Sequence, residues 1–224
     1  MPSTLVHLAF GGMIAAALLG DVFDRRALLV VLAVTAAPDL DSFVALVSVA
    51  GHRTVLHTYV TPIAASLALY ADTRVRDRSF VRDRWGPRGV RIAWVSLVAL
   101  VFAGIGLDFV DHGVNPLWPL HDQFYVLDGR FEVSDQRGIV QSYVDLSPDT
   151  EQTGPTSRGS SQEVNISTGV DPNPGGEGGG PDPGTVEDPE RMFPVVRHGW
   201  QLAILVSGTV VTGARLWMDD PNAE

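Results

Sequence analysis

Long apolar stretches separated by short polar segments fill the first half of the sequence, and one more lies near its C-terminus. Each stretch is close to the roughly 17–25 residues with which a tilted helix crosses a bilayer. Arg25 and Arg26 follow the first stretch instead of preceding it, which favours a retained span over a cleaved secretory signal. The pattern predicts an all-α integral membrane bundle of about five transmembrane helices, at residues 4–20, 27–50, 55–71, 92–110 and 194–213.

The arginines predict how this bundle is oriented. Seven of them fall within residues 72–91, and Arg25 and Arg26 lie between the first two predicted helices. Because cytoplasmic loops are enriched in basic residues, both segments are predicted to be cytoplasmic. The N-terminus and residues 113–193 are then extracytoplasmic, and the C-terminus is cytoplasmic.

The segment between the last two predicted helices has two parts. Residues 121–146 form a predicted hairpin region. Within it, residues 123–146 alternate apolar and polar positions around Asp128 and Gly129, which is typical of a β-hairpin with a two-residue turn. Residues 147–192 are acidic and rich in Pro, Gly and Ser, which predicts a disordered linker. The membrane-embedded core is expected over residues 1–120, and the last helix with its tail over 193–224.

Composition sharpens this division. The 224 residues are 45% hydrophobic with a net charge of −10, yet residues 121–193 alone hold 14 acidic residues and four arginines. The acidic balance argues against nucleic-acid binding, which needs a basic face. The lack of cysteine excludes disulfides and thiolate metal sites. Sixteen arginines without a single lysine, beside 26 acidic residues, predict a halophilic archaeal source.

Two carboxylates interrupt the second apolar stretch, in the sequence Ala37-Pro38-Asp39-Leu40-Asp41. Pro38 removes a backbone donor and is expected to kink or open the helix. Each carboxylate within a membrane span costs about 2.5–3.5 kcal/mol on insertion scales, so Asp39 and Asp41 are expected to meet a cation or water. The alternative is a short polar connection between two half-length buried helices.

The next polar group begins the third predicted helix, with His52, Arg53 and His57. With His52 in the turn and His57 on the first helical turn, both imidazoles can face one cavity. A guanidinium such as that of Arg53 can clamp a phosphate or a carboxylate. The alternative role of Arg53 is an anchor at the membrane interface.

Asp108, Asp111 and His112 share one helical face, because their spacings are three and four residues. His7 precedes Gly11 and Gly12 in the first stretch, where small residues let helices approach closely, although it could also simply meet lipid headgroups. His198 could complete the cluster or lie at the interface. Imidazoles and carboxylates without thiolate suit Zn²⁺, Mn²⁺ or Fe²⁺, of which Zn²⁺ and Mn²⁺ are favoured. The candidate metal ligands are His7, Asp39, His52, His57, Asp111 and His112.

These motifs resemble a known family. An early His7 before Gly11-Gly12, the sequence Pro38-Asp39-Leu40-Asp41, His52-Arg53 with His57, and a late Asp before Gly113 resemble the YdjM-like inner-membrane proteins, described as LexA-regulated metal-dependent hydrolases. The resemblance covers about residues 1–120. It implies a membrane-embedded metal-dependent hydrolase with candidate ligands His7, Asp39, Asp41, His52, His57 and Asp111. The chain departs from the family pattern at Thr54 and at Leu107-Asp108, where either Asp108 replaces a histidine ligand or the site has lost one ligand.

The first functional hypothesis is hydrolysis of a lipid-like or amphiphilic ester, most plausibly a phosphoester, drawn from the membrane lipids around the protein. Asp41 or Asp108 would act as general base, and Arg53 would hold the developing anion. The second hypothesis is an ion- or proton-coupled transporter that uses the same His/Asp cluster. The third is a structural or assembly protein with a vestigial site.

Overall fold

The computed structural model describes residues 3–41, 55–111, 113–127, 129, 131–136, 138–141, 156–157, 159–161 and 195–219. These residues are mostly helical. The first two helices are α1 (Thr4–Leu18) and α2 (Arg25–Ala36). The Asp24 side chain caps α2 by accepting a hydrogen bond from the Ala27 backbone at 2.7 Å. A 3₁₀ turn, Ala37–Leu40, follows directly, with Pro38 near its start.

Four further α-helices, two of them continued by π-helical segments, complete this part of the fold. Helix α3 (Val60–Tyr70) leads into a π-helical turn, Ala71–Val75. Helix α4 (Phe80–Ala99) continues through a π-helical segment, Leu100–Gly106, into α5 (Leu107–Asp111). The final helix is α6 (Gly199–Met218).

The prediction of five membrane spans is wrong. By length and composition, two helices of the described chain can cross a membrane, the continuous helix Phe80–Asp111 and α6. A span needs about 20 residues, whereas α1 has 15, α2 has 12 and α3 has 11. Hydropathy counts apolar residues whether or not they form one helix. The run 27–50 is cut at the 3₁₀ turn, and the run 55–71 becomes helical only at Val60.

Close contacts between the helices show in which direction each helix runs relative to the others. A Cβ on Gly12 would lie 2.5 Å from Thr212 Oγ1, and one on Gly208 would meet the Ala9 carbonyl, so α1 and α6 run parallel. Helix α4 runs antiparallel to α1, because Arg91 hydrogen-bonds the Leu18 carbonyl while Gly104 contacts His7. The core between α1, α2 and α4 is apolar and consists of Ala15, Leu19, Phe23, Ala27, Leu28, Val31, Val95 and Ala99.

Ion pairs fasten the arginine-bearing end of these helices. Arg88 lies 2.5 Å from Asp24, and Arg91 lies 2.9 Å from Asp21. Arg215 of α6 donates a hydrogen bond to the Gly20 carbonyl at 2.9 Å. This end therefore joins the turn after α1 to both long helices.

The β-structure differs from the predicted hairpin. Strand β1 (Tyr125–Val126) pairs antiparallel with β4 (Thr156–Ser157), and β2 (Phe131–Ser134) pairs with β3 (Gly138–Gln141). A hairpin does lie within 121–146, but its turn follows Ser134 instead of centring on Asp128 and Gly129. The stretch predicted to be disordered contributes β4 and a buried Ser161, and most of its other residues lie outside the described part of the chain.

Candidate metal centre

Five ionisable side chains converge at the end of the helices opposite the arginine-bearing end. They come from α1, from the 3₁₀ turn and the residue after it, from the bend before α3, and from α5. Four of them are at most 1% exposed, and the Asp39 side chain is 23% exposed. We call them the His/Asp cluster: His7, Asp39, Asp41, His57 and Asp108.

The first imidazole of the cluster is held by a backbone carbonyl. His7 Nδ1 lies 3.2 Å from the Gly104 carbonyl oxygen, so Nδ1 carries the proton and donates it. Nε2 is then the basic nitrogen, and it faces Asp108 Oδ1 at 3.7 Å. A hydrogen bond of this kind fixes the tautomer and the ring orientation of a metal-binding histidine.

The second imidazole lies among three carboxylates. His57 Nδ1 is 2.7 Å from Asp41 Oδ2, and Nε2 is 2.9 Å from Asp108 Oδ2 and 3.9 Å from Asp39 Oδ1. Asp41 therefore orients the ring from one side, while the opposite nitrogen points at the two other carboxylates.

These carboxylates also set the protonation of His57. Burial lowers its pKa, but hydrogen bonds to Asp108 and Asp41 and the charges of both carboxylates outweigh burial and raise the pKa to about 9. The electrostatic field at this place thus favours positive charge.

The 3₁₀ turn explains how Asp39 and Asp41 can act together. Residues two apart point in different directions on a regular α-helix. Here the helix ends at Ala36, Pro38 enters a 3₁₀ turn, and both carboxylates reach His57. The prediction that Pro38 opens the helix is confirmed.

Part of the cluster has the composition of a metal site. His7, Asp39 and Asp108 each offer one ligand atom, and these three atoms lie within 4.8 Å of one another. One imidazole nitrogen and two carboxylate oxygens are donors that borderline and hard divalent cations accept. The residues therefore fit a divalent metal ion.

Comparison with known proteins places the chain in a family. The model of a family described as YdjM inner membrane protein matches residues 1–159. The chain belongs to this family. The resemblance seen in the sequence is therefore confirmed, and it extends beyond residue 120. Together with the two apolar helices, the family places the protein in the membrane. No match was found among curated proteins or among solved structures.

The remaining candidate residues lie outside the His/Asp cluster or outside the described part of the chain. Asp111 lies 3.7 Å from Nε2 of His198, at the start of α6. His121, which is not among the candidate ligands, stacks on Tyr125 and hydrogen-bonds its hydroxyl at 2.9 Å. His52, Arg53 and His112 lie outside the described residues.

A loop after α5 anchors the segment that carries His57. The Thr58 hydroxyl donates to the Trp118 carbonyl at 2.7 Å, and the Tyr59 backbone donates to the Pro116 carbonyl at 2.8 Å. Asp122, further along this loop, accepts hydrogen bonds from Asn115 and Ser161 at 2.6–3.0 Å. Hydrogen bonds of this loop therefore connect the segment that carries His57 to the β-structure.

Sequence reasoning missed two features of the cluster. One is the Gly104 carbonyl, because a backbone group cannot be recognised from the residue type. The only indication of it in the sequence is the pair of glycines in Gly104-Ile105-Gly106. A Cβ at Gly104 would lie 2.8 Å from the Thr35 carbonyl, so glycine permits the approach of α2. The other is the hydrogen bond between His57 and Asp41, whose partners are 16 residues apart.

Proposed function

We propose that this protein is a membrane-embedded metal-dependent hydrolase that acts on a lipid-like or amphiphilic ester, with a phosphoester as the favoured substrate. The observation that carries the proposal is the His/Asp cluster, in which five ionisable side chains from distant parts of the chain converge in a buried place. Burial of uncompensated charges is expensive. A bound cation compensates these charges, which explains why a folded chain can bury such a cluster.

His7, Asp39 and Asp108 are the residues that would hold the ion, and Zn²⁺ and Mn²⁺ suit one imidazole with two carboxylates. A bound divalent cation supplies Lewis acidity, which activates water and polarises a phosphoryl or acyl oxygen. Asp39, the most exposed member, marks the side from which a substrate would enter.

Proton transfer is assigned to the chain's own residues. Asp108 is the candidate proton acceptor, and its Oδ2 lies 2.9 Å from His57 Nε2. With its pKa raised to about 9, His57 is protonated and serves as a proton donor to this carboxylate. Asp41 acts through His57, because its Oδ2 is 2.7 Å from Nδ1 and fixes the ring. Arg53, which would hold the developing anion, remains a prediction from the sequence.

The arginines support a proposed orientation of the site in the membrane. Gly104, beside the cluster, and Arg91, at the arginine-bearing end, are separated by roughly 20 Å of helix. We assign the arginine-bearing end and the C-terminus to the cytoplasm, and the cluster and residues 113–193 to the extracytoplasmic side.

Metal content tests the proposal. The protein purified in detergent should hold close to one transition-metal ion per chain, and Asp39→Asn or His7→Ala should remove most of it. Asp77→Asn is the matched control, since Asp77 is an exposed carboxylate at the arginine-bearing end. Loaded protein should hydrolyse a phosphoester lipid, and the two site variants should not.

Metal-free wild-type protein under metal-replete conditions would refute the metal site. A metal that stays bound in both site variants would do the same. A loaded protein that moves ions across vesicles, yet hydrolyses no ester, would favour the transporter.

A further inference from the structure

A second cavity lies between α2, α3 and α4, apart from the His/Asp cluster. Its volume is about 560 Å³, and its walls are almost entirely apolar. That size is within the range of ligand-binding pockets, roughly 300–1,000 Å³. Residues from all three helices line it, among them Val30, Val34, Ala65, Leu69, Trp85 and Ala93. We call it the apolar groove.

The groove reaches the arginine-bearing end of the helices. Trp85 lines it and is 56% exposed, in the last turn before α4 is kinked at Gly86, where φ is +68°. The Arg84 guanidinium lies 5.9 Å from the centre of the Trp85 ring. Tryptophan and arginine are typical of the level at which lipid headgroups meet the hydrocarbon. The groove thus joins an apolar interior to a basic mouth.

The surface around the groove is apolar and exposed. Val30, on its wall, is 48% exposed, and Leu67, on the neighbouring turn of α3, is 65% exposed. In a membrane protein such side chains are in contact with hydrocarbon, so a lipid chain can enter sideways from the bilayer.

We propose that the apolar groove binds one chain of an anionic membrane phospholipid, whose phosphate is held at the mouth by Arg84. An apolar cavity open toward the bilayer accommodates the hydrocarbon chain, and a guanidinium is suited to bidentate contact with a phosphate. The charge at the mouth distinguishes this occupant from a neutral lipid. The site lies at the opposite end of the helices from the His/Asp cluster, so it does not rest on the proposed hydrolase activity.

Native mass spectrometry of the delipidated full-length protein tests the proposal, with phosphatidylglycerol and phosphatidylcholine as the probes. Wild-type protein should retain one phosphatidylglycerol in preference to phosphatidylcholine. Ala65→Phe and Ala93→Phe, which fill the groove, should lower retention at least about tenfold, as expected when the bulk of a chain is kept out of a pocket at about 0.8 kcal/mol per buried CH₂. Ala68→Phe is the matched control, because Ala68 is exposed on α3 and does not line the groove.

The headgroup contact has its own variant. Arg84→Gln should reduce the preference for phosphatidylglycerol about fivefold, the ratio that corresponds to roughly 1 kcal/mol for a basic residue near an anionic surface. Arg197→Gln removes the same charge at the opposite end and should leave the preference unchanged. Equal retention of both lipids by wild-type protein would overturn the proposal, and so would phenylalanine variants of the groove that retain lipid as the control does. The thermal stability of each variant in detergent shows whether it has folded.

Discussion

Gly104 connects helix packing to the geometry of the His/Asp cluster, so Gly104→Ala is a stringent test of the structure. The new Cβ would lie 2.8 Å from the Thr35 carbonyl and 3.4 Å from Pro38 Cγ. Both neighbours belong to the segment that carries Asp39. Since backbone atoms cannot rotate away, the end of α2 has to move, and the His7 hydrogen bond to the Gly104 carbonyl has to move with it.

The magnitude follows from a comparison of two glycine substitutions. Overpacking of a filled interior costs about 1–3 kcal/mol. Glycine to alanine within a helix by itself gains up to about 1 kcal/mol. Gly213→Ala, in α6, isolates that gain, because its Cβ would meet nothing within 4 Å. Gly104→Ala should therefore be about 1–3 kcal/mol less stable than Gly213→Ala.

Unfolding of both variants in detergent, followed by circular dichroism, measures the stability difference, and elemental analysis measures the metal. The displaced ligands predict about a 10–100-fold loss of metal affinity in Gly104→Ala. Equal stability of the two variants, with equal metal content, would refute the reasoning that close packing at Gly104 sets the site.

Four further outcomes are expected. Asp24→Ala should destabilise the protein by about 1 kcal/mol, because it removes the cap on the Ala27 backbone. The hydrogen bond from Ala27 and the nearby Arg88 lower the pKa of Asp24 below 3.8. The stabilisation by the cap should therefore be present above pH 3.8 and be lost as the pH falls through the lowered pKa of Asp24. Acid titration of the free energy of unfolding checks this. Asp122→Asn should weaken the attachment of Ser161 to the loop and speed amide exchange at Phe124, measured by mass spectrometry. Thr58→Val removes the hydroxyl contact to Trp118 and should lower metal affinity about tenfold with little change in helix content. Chelation should lower the unfolding temperature of wild-type protein and leave that of His7→Ala unchanged.

The parts of the site that the sequence predicted are those with a local physical signature. Asp39 and Asp41 stood out because carboxylates after a proline are expensive in an apolar run, and the structure places both beside His57. His7 stood out as an imidazole before Gly11 and Gly12 in an apolar stretch, and Asp108 stood out because it shares a helical face with Asp111 and His112. The hydrogen bond between Asp41 and His57 did not, because it depends on how distant segments pack.

The span count failed for a related reason. Apolar composition identifies buried helices and membrane spans alike, and only the length of the continuous helix separates them. Thr4–Leu18 is apolar enough for a span but too short for one. The hairpin was misplaced because Asp128-Gly129 is a local turn signal, whereas the partner of Tyr125–Val126 is Thr156–Ser157, about 30 residues away. Pairings over that distance leave no local trace in the sequence.

The His/Asp cluster links metal binding to folding. Its members come from four separate segments, so the site forms only when α1, the 3₁₀ turn, the start of α3 and α5 are packed together. The three carboxylates lie within a few ångströms of one protonated imidazole, that of His57, so their mutual repulsion is only partly offset. An ion that binds only the folded chain stabilises it by about 2.7 kcal/mol at a hundred times its Kd. A metal ion bound at the proposed site would therefore, more than any further apolar contact, make a buried cluster of this charge compatible with a stable helical core.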